Sequence, residues 1–146
     1  MKAYYANNEI AWELIDHSVV GESTGELGVL EFGKELDFDI KRVFYLRGIE
    51  KGAVRGEHSH LDLKQVVVCL NGEFTMRLDN GQTSWSHTMK PNGEALFLDG
   101  KVWRVMDDFK ENTVLMVLCD REYKYDQVVR DRSEFLKNLI GVNSVL

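Results

Sequence analysis

His58 and His60, two residues apart, are the side chains best suited by type and spacing to do chemistry. In a strand, residues i and i+2 point to one face, so both imidazoles enter the same space. Imidazole titrates near neutrality, so it can take and return a proton or ligate a metal through a neutral nitrogen. A zinc or iron site needs further imidazoles or carboxylates. Gln65 offers only a neutral amide oxygen, and Arg104 offers no lone pair and a permanent positive charge. Glu57 alternates away from the histidines, whereas Asp62 shares their parity and is the carboxylate that would extend a ligand set. The residue chemistry favours proton transfer over metal binding.

Arg42, Arg47, Arg55 and Arg104 lie on or beside the strands flanking this space. The planar guanidinium fork suits phosphate and carboxylate oxygens. Tyr45 is either a phenol that donates a proton or holds a sugar hydroxyl, or an aromatic of the wall. Strand parity sets Tyr45 and Arg47 on one face and Arg42 on the other. One ligand meets all three only through a bulge or a second subunit. Trp85 and Trp103 read as core, and His17 and His87 as surface or structural residues.

The elements that must position these residues are short β-rich runs separated by turns. Strands are expected at 26–31, 39–47, 64–70, 73–78, 84–90, 94–98, 101–106 and 113–119. Asn71-Gly72 and Asp79-Asn80-Gly81 signal hairpins of type I′, and Pro91 with Gly93 marks a break. Phe135, Leu136, Leu139 and Ile140 follow helical spacing, so residues 132–140 should form a short C-terminal helix ended by Gly141. The chain of 146 residues reads as one domain, residues 1–146, of all-β class.

A net charge of −6 argues against general nucleic-acid or anionic-membrane binding, although a few local arginines suffice for a pyrophosphate. No apolar run reaches the length of a membrane span, and the N-terminus lacks the apolar core of a signal peptide. Cys69 and Cys119 sit in apolar runs and read as buried free thiols. The expected location is the cytoplasm.

The stretch from Gly52 to Gly72, GAVRGEHSHLDLKQVVVCLNG, resembles the first cupin motif. Gly52, His58, His60 and Gly72 fall on its positions, with Gln65 in place of its acid. Gly93 to Arg104 resembles the second motif, with Arg104 in place of a third histidine. The resemblance implies a cupin jelly-roll barrel with a short C-terminal helix. Further runs, FDIKRVFYL, RGEHSH, VWRVMDDF and VLMVLCDREYKYDQVVRDRSEF, are similar to the sugar-nucleotide 3,4-ketoisomerases that act on dTDP-4-keto-6-deoxyglucose.

That resemblance implies a homodimer, often with exchanged N-terminal strands, no cofactor, no metal, and a place in the deoxysugar biosynthesis of lipopolysaccharide O-antigens. It also implies a histidine base, His60 or His58, that removes the C3 proton next to the C4 carbonyl. An enediol forms, C4 is protonated, and the carbonyl ends at C3. Tyr45 is a candidate proton relay. Arg55 and Arg104, with Arg42, Arg47 and Gln65, are candidates for holding the diphosphate or the enediolate oxygen. Three positions depart from the family pattern: Leu61 for a lysine, Thr24 for an arginine and Arg104 for a histidine. The rival readings are a non-catalytic sugar-nucleotide-binding domain, a 3,5-epimerase on the same substrate class, and a metal-dependent cupin oxygenase.

Overall fold

The computed structural model describes residues 3–6 and 9–144. Thirteen strands appear among them: β1 Ala3–Ala6, β2 Glu9–Asp16, β3 Ser18–Glu22, β4 Gly25–Val29, β5 Arg42–Leu46, β6 Arg55–His60, β7 Lys64–Asn71, β8 Phe74–Asp79, β9 Ser84–Met89, β10 Glu94–Asp99, β11 Trp103–Asp107, β12 Val114–Cys119 and β13 Val128–Val129. A 3₁₀ turn at Tyr123–Tyr125 precedes β13, and α1 spans Arg132–Ser144.

The strands form a six-stranded sheet in the order β1-β2-β10-β7-β12-β5, a five-stranded sheet in the order β13-β6-β11-β8-β9, and the separate β3–β4 hairpin. The two large sheets face each other. Trp12, Leu14, Val67, Leu96, Leu98, Leu115 and Val117 from the first meet Phe74, Met76, Leu78, Met89 and Met106 from the second. This is the all-β jelly roll of the cupin type with one C-terminal helix. The sheets pack as two layers rather than joining through hydrogen bonds into the expected continuous barrel.

The six-stranded sheet is apolar on both faces. Val66, Val68, Ala95 and Leu118 point outward and are covered by Leu36 and Phe38 from the segment before β5. Continuous apolar runs such as that of β7 are what a strand buried on both faces requires.

Helix α1 covers the outer face of the other sheet, where Phe135 packs with Trp103 and Val129. Asp131 caps it, its carboxylate accepting from the Ser133 backbone N–H at 2.9 Å. The helix continues past Gly141 to Ser144, because glycine inside a helix costs only about 1 kcal/mol.

The turn between β7 and β8 differs from the expected type I′. Gly72 alone has a positive φ, of 72°, and a Cβ there would lie 2.5 Å from Thr113 Oγ1. Glycine is needed for this contact as well as for the turn.

Five strands, β1, β2, β3, β6 and β13, lie outside the expected set, and for three of them the reason is visible. β2 buries Trp12 and Leu14 on one face and sets Ile15 against the outer cluster, which blurs its alternation. β6, RGEHSH, carries no aliphatic residue. β13 is two residues long.

Candidate active site

The site forms where the registers of both sheets coincide. In one sheet, Cys119 of β12 pairs with Arg42 of β5 on one side and Gln65 of β7 on the other. In the facing sheet, His58 of β6 pairs with Arg104 of β11. The β6–β11 ladder then skips a residue, so Gly56 opposes Val105 and Glu57 is extra. Gly56 and Glu57 both have positive φ, of 88° and 55°. Such a bulge re-aims the strand that follows it, here toward the interior.

His58 and His60 share one face, as their spacing predicts, and their Nε2 atoms lie 3.1 Å apart. His60 Nδ1 lies 2.7 Å from Asp126 Oδ1. The other oxygen of Asp126 accepts from Arg42 Nη2 at 3.0 Å. The same Arg42 nitrogen and Gln65 Nε2 each lie 3.5 Å from the Cys119 sulfur. The backbone N–H of His60 donates to the Gly100 carbonyl at 2.6 Å, which anchors the end of β6 to the β10–β11 turn.

Arg104 is 3% exposed and points inward. Its Nη1 donates to Gln65 Oε1. Its Nη2 faces the carbonyls of Asp99, Gly100 and Val102 at 3.2, 3.0 and 3.0 Å. The guanidinium is thus committed to the protein at both terminal nitrogens.

Burial pushes the imidazoles down, His58 to about 4 and His60 to about 3. For His58, the Gly56 carbonyl opposes burial, while Arg104 and Arg130 reinforce it and Asp126 opposes it weakly. For His60, Arg104 reinforces burial and Asp126 opposes it. Both rings are neutral at neutral pH. Burial works to raise the Asp126 carboxyl, but hydrogen bonds from Arg42 and His60 prevail and hold it below its ordinary value. Burial lowers Arg104 to about 10, so it keeps its charge at neutral pH.

Of the residues singled out in the sequence, His58, His60, Gln65, Arg104 and Arg42 converge here. Tyr45 does not: it lies on the outer face of β5 and is 62% exposed. Arg47 and Arg55 are also outside this cluster. They line a shared depression of about 310 Å³ at the end of β5, with Ile49 and Glu50. Asp62 turns away, its side chain 77% exposed and paired with Arg121 at 3.2 Å.

The residues present do not fit a divalent cation. Among the described residues, no three His, Cys, Asp or Glu side chains come together to hold one. The Arg104–Gln65 pair stands where two further ligands would be needed.

Sequence reasoning missed Asp126, which follows the Tyr123–Tyr125 turn and is 66 residues from His60. No local spacing signals that contact. Cys119 was read as a buried thiol, which it is, but not as part of the site wall.

The interior is thus that of a cupin-type jelly roll fitted for proton transfer. The family model described as "FdtA: WxcM-like, C-terminal" matches residues 11–139. The chain belongs to that family and is an isomerase of the 3,4-ketoisomerase type. It is 33% identical over 131 residues to the TDP-4-oxo-6-deoxy-alpha-D-glucose-3,4-oxoisomerase of Aneurinibacillus thermoaerophilus, covering 90% of this chain and 94% of that one. A histidine-to-asparagine variant of the 3,4-ketoisomerase QdtA from Thermoanaerobacterium thermosaccharolyticum, solved with TDP-4-keto-6-deoxyglucose, superposes with a TM-score of 0.85 at 30% identity, covering 90% of this chain and 95% of that one. The WlaRB TDP-quinovose 3,4-ketoisomerase of Campylobacter jejuni superposes with a TM-score of 0.81 at 28% identity, covering 87% and 98%.

Proposed function

We propose that this chain, as one domain, converts dTDP-4-keto-6-deoxyglucose to a dTDP-3-keto-6-deoxyhexose. The observation that carries this reading is the pair of neutral imidazoles held 3.1 Å apart in the interior. A neutral imidazole removes the C3 proton. The electron pair of the broken C–H bond becomes the enediolate double bond. A proton delivered to C4, with the C3 hydroxyl proton moving to the oxygen on C4, leaves the carbonyl at C3, so atoms and electrons balance with no external oxidant or reductant. Buried Arg104, with half-buried Arg42 beside it, sets a positive field that favours the enediolate oxygen.

Arg47 and Arg55 make no ion pair among the described residues and share one depression, which suits them to a diphosphate. The homodimer, the cytoplasmic location and the service to lipopolysaccharide O-antigen sugars belong to the same reading. Exposed Tyr45 joins the reaction only if a second subunit brings the substrate to its face.

Proton NMR of the substrate with the protein in deuterated buffer tests the activity. The expected result is a 3-keto sugar with deuterium at C4, with turnover lost in folded His58→Asn and His60→Asn variants. Deuterium at C5 would establish an epimerase instead. Binding of dTDP without conversion would establish a non-catalytic domain.

A further inference from the structure

We infer that Asp126 is a positioning residue that fixes the tautomers of both imidazoles, leaving His58 Nδ1 as the one nitrogen of the pair with neither a hydrogen nor a partner. This rests on the reading of the histidines as the proton-moving element.

The Asp126 side chain is 3% exposed, and both its oxygens are engaged, one by His60 and one by Arg42. An ionised carboxylate has no hydrogen to give, so the hydrogen in the 2.7 Å contact sits on His60 Nδ1. A neutral His60 then has a bare Nε2. That nitrogen faces His58 Nε2 at 3.1 Å, and two lone pairs would repel at this distance. The hydrogen between the rings therefore belongs to His58 Nε2. His58 is also neutral, so its Nδ1 is bare. That nitrogen is buried and makes no hydrogen bond.

The surroundings favour His58 as the ring that takes charge. The Gly56 carbonyl, outside hydrogen-bond geometry with the neutral ring, favours its protonated form. Arg104 opposes charge on both rings, Arg130 opposes it on His58, and Asp126 favours it on both. A proton taken at His58 Nδ1 makes an imidazolium that still donates its Nε2 hydrogen to His60. His60 can accept that bond only while Asp126 holds its own hydrogen on Nδ1. The step forms an N–H bond at His58 Nδ1 as the substrate C3–H bond breaks, and nothing else changes hands. Delivering a solvent-exchanged proton from His58 Nδ1 to C4, as the C3 hydroxyl proton moves to the oxygen on C4, restores the pair.

Removing the charge at Asp126 frees His60 to carry its hydrogen on Nε2. His58 Nε2 must then accept, and its remaining hydrogen moves to Nδ1. The bare nitrogen of the pair is then His60 Nδ1, which faces residue 126, and His58 has lost its own. Asp126 touches neither substrate nor His58 in this scheme and acts entirely through His60.

Long-range ¹⁵N–¹H correlation spectra of the full chain at neutral pH read the tautomers directly. The expected result is His60 with its hydrogen on Nδ1 and His58 with its hydrogen on Nε2. In Asp126→Asn this preference collapses and kcat falls by roughly 10²-fold or more, with KM changed less than about threefold. His60 protonated on Nε2 in the unmodified chain would overturn the inference without any variant, so it remains decidable if Asp126→Asn does not fold. An Asp126→Asn chain with unchanged tautomers and turnover would overturn it equally. The expected tautomers in a chain that does not isomerise the substrate would uphold the positioning role and refute the proposed function.

Discussion

Replacing Arg104 by Met removes a guanidinium from the floor of the site. The side chain is 3% exposed, so little water is at hand to take its place. Two of its acceptors keep another bond: the Gly100 carbonyl accepts from His60 N–H, and the Asp99 carbonyl accepts from Val102 N–H. Gln65 Oε1 and the Val102 carbonyl are left without a donor. Each orphaned acceptor costs about 1–3 kcal/mol. Met recovers about 1–2 kcal/mol, because a buried charge no longer has to be kept out of water. At the middle of these ranges the net loss is about 2.5 kcal/mol, a large share of the roughly 5–15 kcal/mol of an ordinary domain. Urea unfolding reads it as a lower midpoint at constant m. The same variant removes the charge that, after burial, most depresses His60, so an NMR titration should find the His60 pKa raised. Arg104→Lys separates the two effects. Lysine keeps the charge and loses the planar fork, so His60 should stay depressed while stability falls. A Met variant within about 0.5 kcal/mol of the parent chain, with His60 unmoved, would refute this account of the site floor.

Acid should destabilise the protein through the histidines. Their folded values, about 4 and about 3, lie below the ordinary 6.5, so the unfolded chain binds protons first as pH falls. Their contribution is therefore full above pH 6.5, declines between 6.5 and about 3, and is gone below that. Stabilities from urea unfolding at pH 7.5 and pH 5 should differ by about 2–4 kcal/mol, and His60→Asn should remove about half of that difference. Gly56→Ala should cost about 1–3 kcal/mol and lower turnover more than substrate binding, as read by unfolding and steady-state kinetics. A Cβ there meets the Arg104 carbonyl at 2.9 Å in a backbone with φ of 88°, and relief of that contact shifts His58.

The site was legible in the sequence where one strand or one ladder position carries it. The two-residue spacing of His58 and His60 placed both rings correctly, and the second-motif position of Arg104 placed it facing inward. Arg42 was set on the face opposite Tyr45, and the structure divides them in that way. What failed was whatever depends on contacts between distant segments. Asp126 reaches His60 only because β13 pairs with β6 and carries the preceding turn with it. The type of Arg104 suits a diphosphate or an enediolate oxygen, and the structure adds partners the sequence did not signal: Gln65 and the backbone carbonyls of the turn before it, which no side-chain pattern encodes. The β6 strand itself has no hydrophobic alternation, since its inward positions are spent on histidines.

The segment across the outer face of the six-stranded sheet has a consequence for handling this protein. It is held by Leu36 and Phe38 with Leu30 beside them, by the exposed Lys64–Asp37 pair at 3.6 Å, by Lys41 N–H to the Cys119 carbonyl at 2.8 Å, and by bonds among its own residues, including Gly33 N–H to Leu36 O at 2.8 Å. The mutual core of the two sheets lies on the far side and does not need it. Local opening here therefore costs less than global unfolding, and deuterium should enter these amides first. Each opening uncovers Val66, Val68 and Leu118, part of an aliphatic stretch with strong β-propensity and little charge. Leu36 and Phe38, with Leu30, thus shield an aliphatic sheet face, and aggregation in concentrated solution should track the opening of this strap more closely than global unfolding.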